Sequence, residues 1–497
     1  MPRNMAMTSN DFQTFFQQAP PNNLTRRGRK RTKVIATIGP ASDREDVLMA
    51  MFHAGMNVAR LNMSHGDIPD HQRRLDLVRD LSRRTERPVA ILADLQGPKI
   101  RTGRLKDSAI VHLEAGQDFT ITTNDWPDGS IEKVGTTYAE LHHDVRPGNT
   151  VLINDGRLRL EVVSVDDRDI HCKVLVGGQL SDNKGINLPG VSVSAPSLSD
   201  KDKNDLIWAV ENHVDYIALS FVRNALDVKH VRRRVQEMGA TIPIIAKIEL
   251  EDAVNNIDEI LSEADAIMVA RGDLGIEIRT ERLPVVQKHL ITRANACGKA
   301  VITATQMLES MIENPVPTRA ESSDVANAVF DGTDAVMLSG ETAVGLHPIE
   351  AVAEMNRIAL EAEESPYMPR MVLDESAFPT ESFSLAMTGS ADYLARTIHS
   401  KGIMVFSRNH RKALLLSKRR NQRLVIVICS NEGQWRRMSL YWGVVPLLVE
   451  PCADLQEYLE RGINQAVRHN LLASGDTIVA LLGNENDRAR TLKVVEV

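Results

Sequence analysis

Within the apolar run Ile244-Ile245-Ala246-Lys247-Ile248-Glu249, a lysine stands two residues before a glutamate. An ammonium in such surroundings is costly unless it meets anionic partners. Glu249 and, further along, Asp273 can supply them. Two carboxylates from neighbouring strands are also a usual way to hold a magnesium ion, which keeps several waters and draws its remaining ligands from substrate oxygens. A buried structural salt bridge would leave the same trace, and Lys-x-Glu alone does not separate the two. The company these residues keep does. Arg60 adds a second cation, Gly272 and Asp273 add backbone N–H groups, and Thr305 adds a hydroxyl. Cations, a metal and oriented donors gathered at one point suit a small, highly charged anion. Phosphoryl transfer asks for this arrangement, since it needs positioning and charge neutralisation more than covalent chemistry. A helix cap is the competing use of Thr305. Thr318-Arg319-Ala320-Glu321 makes a better capping box, and its threonine reads as structural.

The elements that must position these residues recur along the chain. Short β-rich runs at Val34–Ile38, Asn57–Leu61, Val89–Ala93, Tyr216–Leu219, Ile244–Lys247, Ala266–Ala270, Ala300–Thr303 and Ala335–Leu338 alternate with helical stretches such as Asp70–Arg84, Ala225–Glu237 and Pro284–Cys297. Eight βα units predict a (β/α)8 TIM barrel, whose site lies at the C-terminal ends of its strands. Polar residues load those ends: Arg60 to Gly66, Asp94 to Lys99, Lys247 to Glu249, Arg271 to Asp273, Thr303 to Gln306 and Ser339 to Thr342. The period of two puts Arg60, Asn62 and Ser64 on one face, as it does Lys247 with Glu249 and Ser339 with Glu341. The barrel is expected over 31–100 and 198–370. Between the third and fourth runs the pattern turns all-β, with Thr150–Asn154, Arg157–Val165 and Ile170–Val176 broken by turn pairs. This predicts an inserted β domain at 101–197. After a proline-bearing linker, Pro366 to Pro379, strands at Ile403–Phe406, Leu424–Cys429, Val444–Val449, Thr477–Leu482 and Leu492–Val497 predict a C-terminal open α/β domain at 380–497.

Composition agrees with a three-domain globular chain: 497 residues, 43% hydrophobic and 25% charged. The balance of 59 basic against 66 acidic residues, a net charge of −7, gives no sign of nucleic-acid binding. Apolar runs such as Leu424–Cys429 fall far short of the roughly 18 residues of a membrane span, so no membrane role is expected. Cys172, Cys297, Cys429 and Cys452 lie far apart and read as buried small hydrophobes in a reducing, cytoplasmic setting. Residues 1–30, ending in a basic run from Arg26, lack a secretory pattern and read as a mobile tail.

The segments Ala59 to Gly66, Asp94 to Arg101, Lys184 to Gly190, Ala246 to Glu249, Met268 to Gly275, Ile302 to Met311, Pro317 to Ala328 and Met337 to Ala343 together resemble the pyruvate kinases, of bacterial type. The resemblance implies a barrel with a β-barrel lid inserted after its third strand and a C-terminal α/β domain. It also implies that the phosphoryl group of phosphoenolpyruvate passes to ADP in glycolysis. Lys247 then matches the lysine that stabilises the moving phosphoryl group and the enolate. Glu249 and Asp273 match the magnesium ligands, where manganese can substitute. Gly272 and Asp273 match the donors to the substrate carboxylate, Arg60 the phosphate contact, Thr305 the residue at the protonation face, and Ser339 with Glu341 a proton relay. Asn62, Met63, Ser64, His65, Arg101 and Lys184 match nucleotide-side contacts, with Lys184 carried by the lid. A cytoplasmic homotetramer is implied.

The chain departs from many members in three places. Leu95-Gln96-Gly97-Pro98-Lys99 stands where they have Thr-Lys-Gly-Pro-Glu. In those members a potassium ion is held by groups matching Asn62, Ser64 and Asp94. Lys99 brings its own charge there, so potassium is not expected to be required, although Thr102 follows the other pattern. A loop that cradles an effector phosphate is replaced by Asn409-His410-Arg411-Lys412, and the last loop reads Gly483 to Asp487. Sugar-bisphosphate activation is therefore expected to be weak or absent, and the cluster Arg408, His410, Arg411 and Lys412 to be a solvated helix start. The rival activity is a magnesium-dependent carbon–carbon lyase on a related barrel, which needs neither Lys184 nor Arg60. A non-catalytic metabolite sensor would not need Lys247, Glu249 and Asp273 together.

Overall fold

The computed structural model describes residues 30–191, 193–368, 382–406, 411–452, 454–483 and 491–497. Positions 1–29 of the expected tail, most of the Pro366–Pro379 linker, Arg408 to His410, and Asn484 to Asp487 lie outside the described residues.

The expected barrel is present. β1 (Lys33–Thr37), β2 (Val58–Asn62), β3 (Ala90–Asp94), β4 (Tyr216–Leu219), β5 (Ile244–Ile248), β6 (Ala266–Ala270), β7 (Ala300–Ala304) and β8 (Ala335–Leu338) close in sequential order, with β1 paired in parallel to both β2 and β8. The helices follow the expected stretches within a residue or two, at Ile68–Arg84, Ala225–Glu237 and Leu283–Ala296. Alternation along each strand sorts its residues between two cores. Ile244, Ala246 and Ile248 face the helical shell, whereas Ile245 joins Val58, Ala90 and Leu92 inside the barrel. The inward series therefore runs Val58-Arg60-Asn62 on β2, Ala90-Leu92-Asp94 on β3 and Ile245-Lys247-Glu249 on and just past β5. Each is apolar at its start and charged or polar at its end, which is how the site is placed.

The insert is a six-stranded sheet in the order Ile186–Asn187, Thr150–Ile153, Leu158–Asp166, Asp169–Val176, Asp118–Thr122, Lys133–Gly135, with a two-stranded pair of Val111–Leu113 and Gly178–Leu180. Its two edges are bridged by the incoming chain. Thr102 N donates to Lys184 O at 2.8 Å, Gly103 N donates to Gly135 O at 2.7 Å, and Ile186 N donates to Ile100 O at 2.9 Å. These contacts close the sheet on itself around one core that includes Phe119, Val151, Leu160 and Ile170.

The C-terminal domain has a five-stranded sheet. β9 (Gly402–Phe406), β10 (Leu424–Cys429), β11 (Val444–Leu448), β12 (Thr477–Leu482) and β13 (Thr491–Glu496) run in the order β11-β10-β9-β12-β13, with only β13 antiparallel. This domain closes the floor of the barrel: Trp435, Met438, Leu440 and Tyr441 share a core with the barrel's inward residues. Tyr216 Oη donates to Arg437 O at 2.6 Å, and Arg436 pairs with Asp215 at 3.1 Å. Asp334 meets Lys418 and Arg420, all three buried. Two expectations need correction. Lys412 is not solvated but 1% exposed, its ammonium bonded to Gly483 O, and Arg411 donates to Gly298 O on the barrel. Of the cysteines, Cys172 and Cys429 are buried and Cys297 and Cys452 only half-buried.

Candidate active site

Lys247 stands at the centre of the barrel mouth. Its Nζ lies 2.9 Å from Glu249 Oε1 and 3.4 Å from Asp94 Oδ1, and donates to Ser220 Oγ at 2.7 Å. Burial alone would lower its pKa, but Asp94 and Glu249 outweigh burial and raise it, so the ammonium stays charged. Arg60 enters from β2, donating from Nε to Asp94 Oδ2 at 2.7 Å and from Nη1 to Thr37 Oγ1 at 2.9 Å. Burial pushes the Asp94 carboxyl up, yet Lys247 and Arg60 hold it below its ordinary value. Asp94 is thus a buried anion between two cations, both of which face the mouth.

Glu249 is 1% exposed. Burial raises its pKa and the charge of Asp273 raises it further, against the pull of Lys247. Two carboxylates that repel each other beside open space make a hard, oxygen-only donor set that a divalent cation would satisfy. Among the described residues no group of three or more His, Cys, Asp or Glu could hold a metal. As a pair of oxygen donors, Glu249 and Asp273 could supply only part of the shell of a magnesium ion, leaving the rest to substrate and water. Lys99 reaches into the same space, its Nζ 3.7 Å from Asp273 Oδ1.

Thr305 is positioned under strain. It and Gln306 have φ of 66° and 54°, a region few residues other than glycine adopt. Arg271, 7% exposed, holds that turn by donating to the carbonyls of Thr305 at 2.7 Å and Gln306 at 3.2 Å, while pairing with Asp324 at 2.7 Å. Thr305 Oγ1 accepts from Gly272 N at 2.7 Å and donates to Ala304 O at 2.6 Å. Gly272 N–H, expected to face a substrate carboxylate, is here engaged by the threonine. Glu341 is 2% exposed and accepts from Ser339 N at 2.7 Å and Leu308 N at 3.2 Å, which ties the ends of β7 and β8 together. Ser339 is thereby held through its backbone.

On the nucleotide side, Asn62 Oδ1 accepts from Ser64 N at 3.2 Å, Met63 is fully buried, and His65 is exposed. Arg101 Nη1 donates to Asn183 O at 3.1 Å, next to Lys184, whose own N–H donates to Thr102 Oγ1 at 2.9 Å. The lid thus brings Arg101 and Lys184 together.

Sequence reasoning gave no role to Ser220, Phe221, Arg271 or Thr37. Ser220 donates to Leu95 O at 2.7 Å while receiving Lys247, and Phe221 N donates to Glu249 Oε2 at 2.7 Å. Their signal was positional: they end β4, a strand end to which no site residue had been assigned. Gly97 packs against them so closely that a Cβ there would lie 2.8 Å from Phe221 Cδ2, and its φ is +73°.

This geometry sits on a chain with extensive matches. Residues 29–352 match the family model "Pyruvate kinase, barrel domain" and 386–497 match "Pyruvate kinase, alpha/beta domain". Pyruvate kinases of Staphylococcus aureus strains MRSA252 and USA300 are each 40% identical over 470 residues, 94% of this chain and 80% of theirs. The crystal structure of a pyruvate kinase from Cryptosporidium parvum superposes with a TM-score of 0.88 at 38% identity, covering 94% of this chain and 96% of that one. The two family models and these relatives along nearly the whole chain all point to one group of phosphotransferases, and the chain belongs to the pyruvate kinase family.

Proposed function

We propose that this site transfers the phosphoryl group of phosphoenolpyruvate to ADP and protonates the resulting enolate to pyruvate. The observation that carries this is Lys247, kept charged between Asp94 and Glu249 and facing the Glu249/Asp273 pair. Arg60 and Lys247 hold the phosphoryl oxygens and gain most as charge spreads over them in transfer. Glu249 and Asp273 would hold magnesium, or manganese in its place, which would neutralise charge on the substrate oxygens. Lys247 also balances the enolate oxygen. Thr305 Oγ1 stands at the face where the enolate carbon takes its proton, with Glu341 holding Ser339 beside it. Asn62, Met63, Ser64, His65, Arg101 and Lys184 bind the nucleotide.

Lys99 supplies the monovalent charge otherwise supplied by potassium at Asn62, Ser64 and Asp94, so the reaction runs without that ion. The enzyme works as a cytoplasmic homotetramer, as the family resemblance implies. Formation of ATP and pyruvate from phosphoenolpyruvate, ADP and magnesium tests the proposal directly. A carbon–carbon lyase would yield no ATP in that mixture.

A further inference from the structure

We propose that Asp202 is the clasp of the lid hinge, a positioning residue that pins both chain crossings between barrel and lid to a single carboxylate. The observation begins with a capping box. Ser199 caps the helix Asp200–Glu211, which follows the lid, and Asp202 at its third position reaches back to the cap. Ser199 N and Ser199 Oγ both donate to Asp202 Oδ2, at 2.9 and 2.5 Å. An ordinary capping box ends there. Here the other oxygen, Oδ1, accepts from Gly97 N at 3.1 Å, 105 residues earlier in the chain.

Gly97 is where the chain leaves the barrel for the lid, and Ser199 is where it has returned. Everything between them except these crossings belongs to the insert. Asp202 is fully buried, and among the described residues no ion pair involves it, so these backbone and hydroxyl donors are what hold it in place. The same helical turn reaches the nucleotide side: Lys201 Nζ donates to Met63 O at 2.6 Å. From Gly97 the chain turns at once into Lys99, whose N–H donates to Gly97 O at 2.8 Å, and then into Arg101. One carboxylate therefore sets the origin from which the chain carries Lys99 and Arg101, with Lys184 bridged to Thr102 beside them.

The inference rests on the nucleotide-side role proposed above for Arg101 and Lys184. Asp202→Asn keeps the shape but replaces one acceptor with an NH2, so either Gly97 N–H or the cap must face a donor. Losing one such bond corresponds to roughly three- to tenfold in an equilibrium. The KM for ADP should rise by about that factor, with the KM for phosphoenolpyruvate within about twofold of wild type, because the substrate's contacts lie on the barrel. Ser199→Ala weakens the capping box but leaves the Gly97 bond, and should lower thermal stability without moving the KM for ADP. If Asp202→Asn and Ser199→Ala move that KM equally, the clasp is refuted.

Lys184→Met serves as the reference. If it leaves the KM for ADP unchanged, the nucleotide-side reading has failed, and amide exchange decides on the clasp by itself. Gly97 and Ser199 should exchange faster in Asp202→Asn, and unchanged protection overturns the proposal. If that variant does not accumulate folded, exchange in the wild-type protein gives the answer. Two amides held by one carboxylate should open together, and separate protection overturns the proposal.

Discussion

Replacing Lys99 by glutamate should make this enzyme dependent on potassium. The Lys99 ammonium lies 3.7 Å from Asp273 Oδ1, with side chains 28% and 27% exposed. At an effective dielectric near 20 that separation corresponds to about 4.5 kcal/mol of attraction. Partial exposure and salt reduce the usable part to about 1 to 2 kcal/mol. Lys99→Glu removes this attraction and puts a second carboxylate beside Asp273. Without an added cation, the like charges should lower the rate by roughly ten- to a hundredfold, at about 1.4 kcal/mol per decade. A potassium ion could occupy the vacated space and restore it. Initial rates of ATP formation in tetramethylammonium buffer, with and without potassium chloride, provide the assay. Wild type should be indifferent to the salt and Lys99→Glu should need it. A many-fold stimulation of the wild type by potassium would refute the reasoning, as would a Lys99→Glu enzyme fully active without it.

Three further perturbations separate the parts of the molecule. Lys247→Met should lower kcat by about 10²- to 10³-fold while leaving magnesium binding largely intact, as measured by turnover and by metal titration. Glu277, 8% exposed and bonded to Asn187 of the lid at 3.1 Å, has its carboxyl pushed up to about 7 by burial. Between its ordinary value of 4.5 and 7 the folded state binds more protons than the unfolded one, so stability falls as pH rises. Above both values the cost is about 3 kcal/mol at most, and Glu277→Gln should raise the melting temperature at pH 8 but hardly at pH 4. Asp334→Ala leaves the buried Lys418 and Arg420 without their anion. Urea unfolding should show a loss of about 3 to 5 kcal/mol.

The barrel was legible because its strands alternate. The series Ile245-Lys247-Glu249 showed both the strand and the face on which its charges lie. Arg60 was picked out because it shares the inward face of β2 with Val58 and Asn62, whereas Asp273 and Thr305, which follow the ends of β6 and β7, were picked out by position alone. What escaped was whatever acts on backbone. Arg271 holds the carbonyls of Thr305 and Gln306, and Phe221 offers an N–H to Glu249. A backbone partner leaves no mark in the residue types, so neither member of such a pair announces the other. Lys412 was misread for a related reason. A lysine at a helix start is usually solvated, but this one finds the carbonyl of Gly483 inside the C-terminal domain.

The floor of the barrel shows why the C-terminal domain is not an appendage. Inward residues near the starts of the strands, such as Val58, Ala90 and Ile245, are apolar and continuous with Trp435, Met438, Leu440 and Tyr441, so without that domain they would face water. Asp215 and Asp334, which precede β4 and β8, each serve two kinds of partner. They accept from the backbone of a neighbouring strand, at Ile91 N and Val301 N, both at 2.8 Å or less, and from Arg436 or Lys418 of the C-terminal domain. The residues that fix strand register at the bottom are therefore the residues that dock the other domain. A shift of that domain would act on β3, β4, β7 and β8, the strands whose upper ends carry Asp94, Ser220, Thr305 and Ser339. Regulation of this site from the C-terminal domain thus needs no separate pathway, because the two share a core and a set of ion pairs.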